Sequence, residues 1–236
     1  MTGSNDSAER HGFSRRRFLH SVVAGAAVGA VRPWPAWPSS SSGPPSWTKP
    51  TPDEAIKELA AGNQRFVADR LTACSHGLAR LRENTAEKQE PIAAVLACAD
   101  SRVPVELIFD QSIGRVFVTR VAGNIATPEI IASLEYAVAA LGVSALVVLG
   151  HRNCGAVKAA LKSETVPGQI SSLYAYLRPA VEQGAGNVNT AVDANARVQA
   201  DVLRSSSTVI REATSKGSLK VICGVYDLAT GKVTLS

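Results

Sequence analysis

Ile92-Ala-Ala-Val-Leu-Ala-Cys98 and Ala145-Leu-Val-Val-Leu-Gly150 are short, unbroken apolar runs. They are too short for ordinary helices and lack the alternation of a half-exposed strand, so they read as strands buried on both faces. Arg115-Val-Phe-Val-Thr-Arg-Val121 adds a strand rich in Val, Phe and Thr, and Leu219-Lys-Val-Ile-Cys-Gly-Val225 adds a fourth. Between them the period changes. After Thr127-Pro128, the residues Ile131, Leu134, Val138 and Leu141 recur at helical spacing until Gly142 stops them. Further helices are expected just past Cys154, over 170–183 and over 189–213, with a break near Gly184 and Gly186. Upstream, Thr51-Pro-Asp-Glu54 has the form of a capping box and opens a helix to about Ala68, with Ile56, Leu59 and Phe66 as its apolar positions. Downstream, Thr230-Gly231 turns the chain into Lys232-Val-Thr-Leu-Ser236, an antiparallel hairpin partner. Apolar strands alternating with helices predict an α/β fold, a mostly parallel sheet with helices on both faces. In such sheets ligands gather at the carboxyl ends of the strands.

The 236 residues suit one sizeable domain. The net charge of +5 is unevenly placed. Residues 1–40 hold five Arg against Asp6 and Glu9, a net of +3, which leaves +2 for the rest. No cluster of Lys and Arg marks the folded part, which argues against a nucleic-acid partner. Arg15 and Arg16, followed by Phe18 and Leu19, resemble a twin-arginine export signal. The apolar stretch Ser21–Val31 has signal-peptide length and stops at Arg32, short of the roughly 20 residues a spanning helix needs. A basic tail and an uncleaved anchor are the alternatives. Residues 1–40 are therefore expected to be a signal and cleavage region, 41–50 a linker, and 51–236 the folded domain. The expected destination is the periplasm, cell envelope or exterior, reached through the twin-arginine machinery. The region has no Cys for lipid attachment.

Two strands end in reactive residues: Cys98-Ala-Asp100-Ser-Arg102 after the first and His151-Arg-Asn-Cys154 after the third. Neighbouring parallel strands set such ends side by side. Two thiolates and one imidazole form a three-ligand zinc set with a fourth position open, and these donors suit zinc better than magnesium or calcium. Cys74, His76 and Cys223 lack this context. Cys223 reads as core, while Cys74 with His76 could compete for metal or Cys74 could pair with Cys223.

Cys98-x-Asp100-Ser101-Arg102 with His151-x-x-Cys154 resembles the signature of the β-class carbonic anhydrases. The likeness extends through Arg120-Val-Ala-Gly-Asn124, Gly150-His-Arg-Asn-Cys-Gly-Ala156 and Tyr226-Asp-Leu-Ala-Thr-Gly231, from about residue 51 to the end. It implies a parallel core of strand order 2-1-3-4, assembly as dimers or dimer multiples, and one Zn(2+) per chain on Cys98, His151 and Cys154. It implies reversible hydration of carbon dioxide to bicarbonate and a proton. Asp100 would orient a zinc-bound hydroxide and Arg102 would hold Asp100 off the metal. Gln89, nine positions before Cys98, matches a residue that donates to bicarbonate or carbon dioxide. Phe117 and Tyr136 match residues lining a cleft at the dimer interface, and Gly123 matches a close approach of backbone to the site. Some relatives carry a Trp three residues before the first ligand Cys, which builds an inhibitory bicarbonate site. Val95 stands there, which implies the subtype with open, water-bearing zinc. Hydrolysis of carbonyl sulfide or carbon disulfide, and a non-catalytic zinc or bicarbonate-binding module, are the competing functions; the Asp100–Arg102 pair and Gln89 favour the hydratase.

Overall fold

The computed structural model describes residues 49–72 and 87–236. The export-type segment 1–40, most of the linker, Cys74 and His76 lie outside the described residues.

The first described helix, α1 (Pro52–Val67), starts as its sequence requires. The Thr51 hydroxyl accepts from the Glu54 N–H, and the Glu54 carboxylate accepts from the Thr51 N–H at 2.8 Å. Leu59 on its inner face is fully buried. Strand β1 (Ala93–Ala97) follows, then a single helical turn, α2 (Val105–Ile108), and β2 (Val116–Arg120). Next come α3 (Pro128–Ala139), β3 (Ala145–His151) and α4 (Gly155–Lys162). A 3₁₀ turn (Ile170–Leu173) leads into α5 (Tyr174–Gly184), α6 (Val188–Ser206) and α7 (Thr208–Ser215). Strands β4 (Lys220–Tyr226) and β5 (Val233–Leu235) close the chain.

The sheet runs β2-β1-β3-β4-β5, parallel except for β5. Every residue of β1 and β3 is buried, as the unbroken apolar runs require of strands covered on both faces. Alternate residues serve two cores. Ala94, Leu96, Leu146 and Val148 pack with helices α3 to α7 through Leu134, Leu177, Leu203 and Ile210. Val95, Ala97, Val147 and Leu149 face α1 and α2 through Leu59, Ile108 and Phe109. Fully burying one such Leu contributes about 1.5–3 kcal/mol.

One expectation needs correction. The helix expected over 189–213 is two helices, because Ser207 has extended backbone (φ −105°, ψ 121°) and caps α7 by accepting from the Ile210 N–H. Its hydroxyl also donates to Glu135 at 2.6 Å, so α3 fixes the break. The turn α2 had no periodicity to announce it, being four residues long.

Candidate metal centre

β1 and β3 are hydrogen-bonded neighbours with Ala97 opposite Leu149. Cys98 and His151 therefore leave the sheet side by side. Two residues later the chain turns at Asn153 (φ 63°), and Cys154 becomes the residue that opens α4. The Sγ of Cys98, the Sγ of Cys154 and a ring nitrogen of His151 all lie within 4.8 Å of one another, and all three residues are buried.

The imidazole is oriented by its other nitrogen. His151 Nδ1 lies 3.0 Å from the Arg152 carbonyl, a contact it can make only as donor. That tautomer leaves Nε2 with a free lone pair. Nε2 is buried and has no hydrogen-bond partner. A buried, unpartnered nitrogen beside two thiols is costly as a purely structural arrangement and fits a soft divalent ion. The two sulfurs also shift each other's ionisation in opposite directions. The Cys154 thiol donating to Cys98 pulls Cys98 well down against the opposing effect of burial, and the N–H groups of Gly123 and Asp100 add to this. The same bond, reinforced by burial, pushes Cys154 up.

Asp100 sits over this cluster without joining it. Its Oδ1 accepts from the Arg102 N–H at 3.0 Å and from Arg102 Nε at 2.9 Å, and its Oδ2 accepts from Arg102 Nη2 at 2.7 Å. This bidentate fork holds the carboxyl well below the usual carboxylate range. Oδ2 remains 3.8 Å from His151 Nε2. Arg120, at the end of β2, braces the same turn by donating to the carbonyls of Cys98 (2.9 Å) and Asp100 (2.5 Å).

Gly123 has φ 79°, and its N–H donates to Cys98 Sγ at 3.3 Å. Its carbonyl accepts from Asn195 Nδ2 at 2.8 Å, while Gln199 Oε1 accepts from the Ala126 N–H at 2.9 Å. Sequence reasoning gave Arg120, Asn195 and Gln199 no role.

Within one chain, Gln89, Phe117 and Tyr136 do not reach the cluster. Gln89 lies before the amino end of β1 in a recess with Lys49 and Arg115, so the whole strand, roughly 16 Å at 3.3 Å per residue, separates it from Cys98. Phe117 pairs with Ala94, four residues before Cys98, and its ring meets Tyr136 at 6.2 Å.

Residues 93–233 match the carbonic anhydrase family model. The chain is also 37% identical over 192 residues to carbonic anhydrase 2 of Mycobacterium tuberculosis, covering 78% of this chain and 92% of that one. The chain belongs to the β-carbonic anhydrase family. Among solved structures it resembles the β-carbonic anhydrase CcaA (TM-score 0.62, 28% identity, 76% of this chain and 86% of that one). It is similar as well to β-carbonic anhydrases of Sordaria macrospora described as tetrameric (TM-score 0.60, 25% identity, 76% and 95%). β-Carbonic anhydrases are zinc enzymes that hydrate carbon dioxide, and this member carries a Cys-His-Cys group able to hold a metal ion.

Proposed function

We propose that Cys98, His151 and Cys154 hold one zinc per chain and that Asp100, held by Arg102, orients the nucleophile of carbon dioxide hydration. The observation that carries this reading is the carboxylate's position: both oxygens on Arg102, one of them 3.8 Å from the buried Nε2. Zinc held by these three residues would supply a nucleophile by acidifying a water, less strongly than at an all-histidine site because two thiolates give it more negative charge. Asp100 is ionised, so it accepts the nucleophile's hydrogen and turns a lone pair toward the carbon of carbon dioxide. Arg102 keeps the carboxylate from turning into the cluster and taking the open position itself. Val95 is fully buried in the α1-side core and offers no hydrogen-bond donor, which supports the open subtype.

Gln89, Phe117 and Tyr136 serve the site of a second copy. Strand β2 is an edge of the sheet, its Val116, Phe117 and Val118 are only half-buried, and Tyr136 is 40% exposed. An edge of this kind invites pairing. Residues 51–236 form the enzyme domain, and Arg15, Arg16 and the apolar stretch after them direct it through the twin-arginine route to the cell envelope or beyond. Export of an already folded protein suits a site whose thiols metal protects from disulfide formation.

Stopped-flow hydration of carbon dioxide by the purified protein, with zinc measured on the same sample, tests the reading. About one zinc per chain with hydration well above the buffer rate is expected. Zinc-loaded protein without hydration would overturn it.

A further inference from the structure

Two amides are buried side by side on α6, a helix whose polar residues would ordinarily face water. Asn195 and Gln199 are each 1% exposed. Burying such groups costs about 1–3 kcal/mol apiece if they are left unpaired. Here they are paired, and the partners lie on the loop against the metal cluster. Asn195 Nδ2 donates to the Gly123 carbonyl, and Asn195 Oδ1 accepts from Gln199 Nε2 at 3.1 Å. Gln199 Oε1 takes the Ala126 N–H, and Gln199 Nε2 also donates to the Tyr176 carbonyl at 3.0 Å.

The loop needs such a hold. Gly123 and Asn124 both have positive φ (79° and 44°), a conformation uncommon outside Gly although Asn is among the residues that tolerate it best. The peptide unit between them is gripped from two sides: its oxygen by Asn195, its N–H by the Val121 carbonyl at 2.9 Å. With that unit fixed, the preceding one has little freedom to rotate, and its N–H is the one that donates to Cys98 Sγ. A hydrogen bond to a metal thiolate withdraws charge from the sulfur and lowers the energy of its lone pairs.

We propose that Asn195, backed by Gln199, is a positioning residue that aims the Gly123 N–H at Cys98 and so sets how much charge that sulfur gives the metal. The inference rests on Cys98 being a ligand.

Asn63 supplies the control. It is also a buried amide, donating to the carbonyls of Ile108 (3.1 Å) and Gly231 (2.9 Å) and accepting from the Val233 N–H (2.8 Å), but on the α1 side of the sheet. Wild type, Asn195→Ala, Gln199→Met and Asn63→Ala are loaded with Co(II), and the sulfur-to-cobalt charge-transfer absorption is recorded beside each melting temperature. The band is expected to move to lower energy in Asn195→Ala, and by less in Gln199→Met, where Asn195 still holds Gly123. Asn63→Ala is expected to melt lower with its band in place. An unmoved band in folded, loaded Asn195→Ala overturns the proposal, as does an equal shift in Asn63→Ala. If Asn195→Ala does not fold, Gln199→Met decides by the same criterion. A wild type with no thiolate band removes the ligand assignment, and the proposal with it.

Discussion

Replacing Asp100 with Asn separates holding metal from using it. The carboxylate takes three hydrogen bonds from Arg102, two of them from the guanidinium in a fork. An amide has one oxygen, so one arm of the fork loses its acceptor and meets an N–H₂ group instead. A hydrogen bond to a charged group is worth about 1.5–3 kcal/mol, and each 1.36 kcal/mol in a barrier is about tenfold in rate. Losing the fork and the charged acceptor for the nucleophile together is expected to lower kcat/KM for hydration about 100-fold, or about 2.7 kcal/mol. Zinc should remain, since none of the three proposed ligand atoms belongs to Asp100. The pair also sets an acid limit. Arg102 holds the folded Asp100 value below that of the unfolded chain, near 3.9, so the pair's stabilisation is full above about pH 4 and is lost as pH falls through the lowered folded value. Asn has no such limb. The assay is stopped-flow hydration between about pH 6.5 and 9 on both proteins at matched zinc content, with urea unfolding at low pH alongside. Wild-type rates in zinc-loaded Asp100→Asn would refute the assigned role.

Other perturbations probe the rest of the reading. Cys154→Ser should lose zinc and activity together, as metal analysis after dialysis would show; full occupancy would contradict the ligand set. Phe117→Glu puts a charge on the half-buried β2 edge. It should turn the proposed dimer into monomers by analytical ultracentrifugation and lower hydration on the order of tenfold at unchanged zinc content, whereas an unchanged sedimentation profile would detach Phe117 from any interface. Changing Arg15 and Arg16 to Lys should leave folded, zinc-bearing enzyme in the cytosol on fractionation, and normal delivery to the envelope would reject the twin-arginine route. Gly184→Val should destabilise by about 2 kcal/mol or more on denaturant unfolding, because a Cβ there meets the Ala191 Cβ at 2.6 Å. An unshifted midpoint would mean that α5 and α6 can part cheaply.

How far the sequence was legible depended on how local the deciding physics was. The runs Ile92–Cys98 and Ala145–Gly150 are apolar because both faces of a central strand are covered, so composition alone revealed β1 and β3. Thr51 and Glu54 form a cap within four residues, and the helix begins where they place it. Cys98, His151 and Cys154 could be grouped because adjacent parallel strands align their ends. The break at Ser207 was hidden because it depends on Glu135, 72 positions away. Asn195 and Gln199 received no role because nothing near them in sequence reveals the loop they hold. The distance of Gln89 from the cluster of its own chain follows from strand direction, which spacing to Cys98 did not express.

The contacts of Asn63 bear on the order of events during synthesis. This residue of the first described helix bonds to Gly231 and Val233, 168 and 170 positions later and within six residues of the last one. Strand β4, which flanks β3 and supports α6, is likewise translated after both. Until β4 and β5 have left the ribosome, α1 lacks these bonds and the sheet lacks two of its five described strands. Cys98 and Cys154 are by then already in the cytosol. Completion of the sheet must therefore wait for β4 and β5 to be made, and until then the fold shields the paired thiols least. Pairings so distant in sequence also make for slow folding. A reducing environment during synthesis would therefore guard both thiols until β4 and β5 have docked.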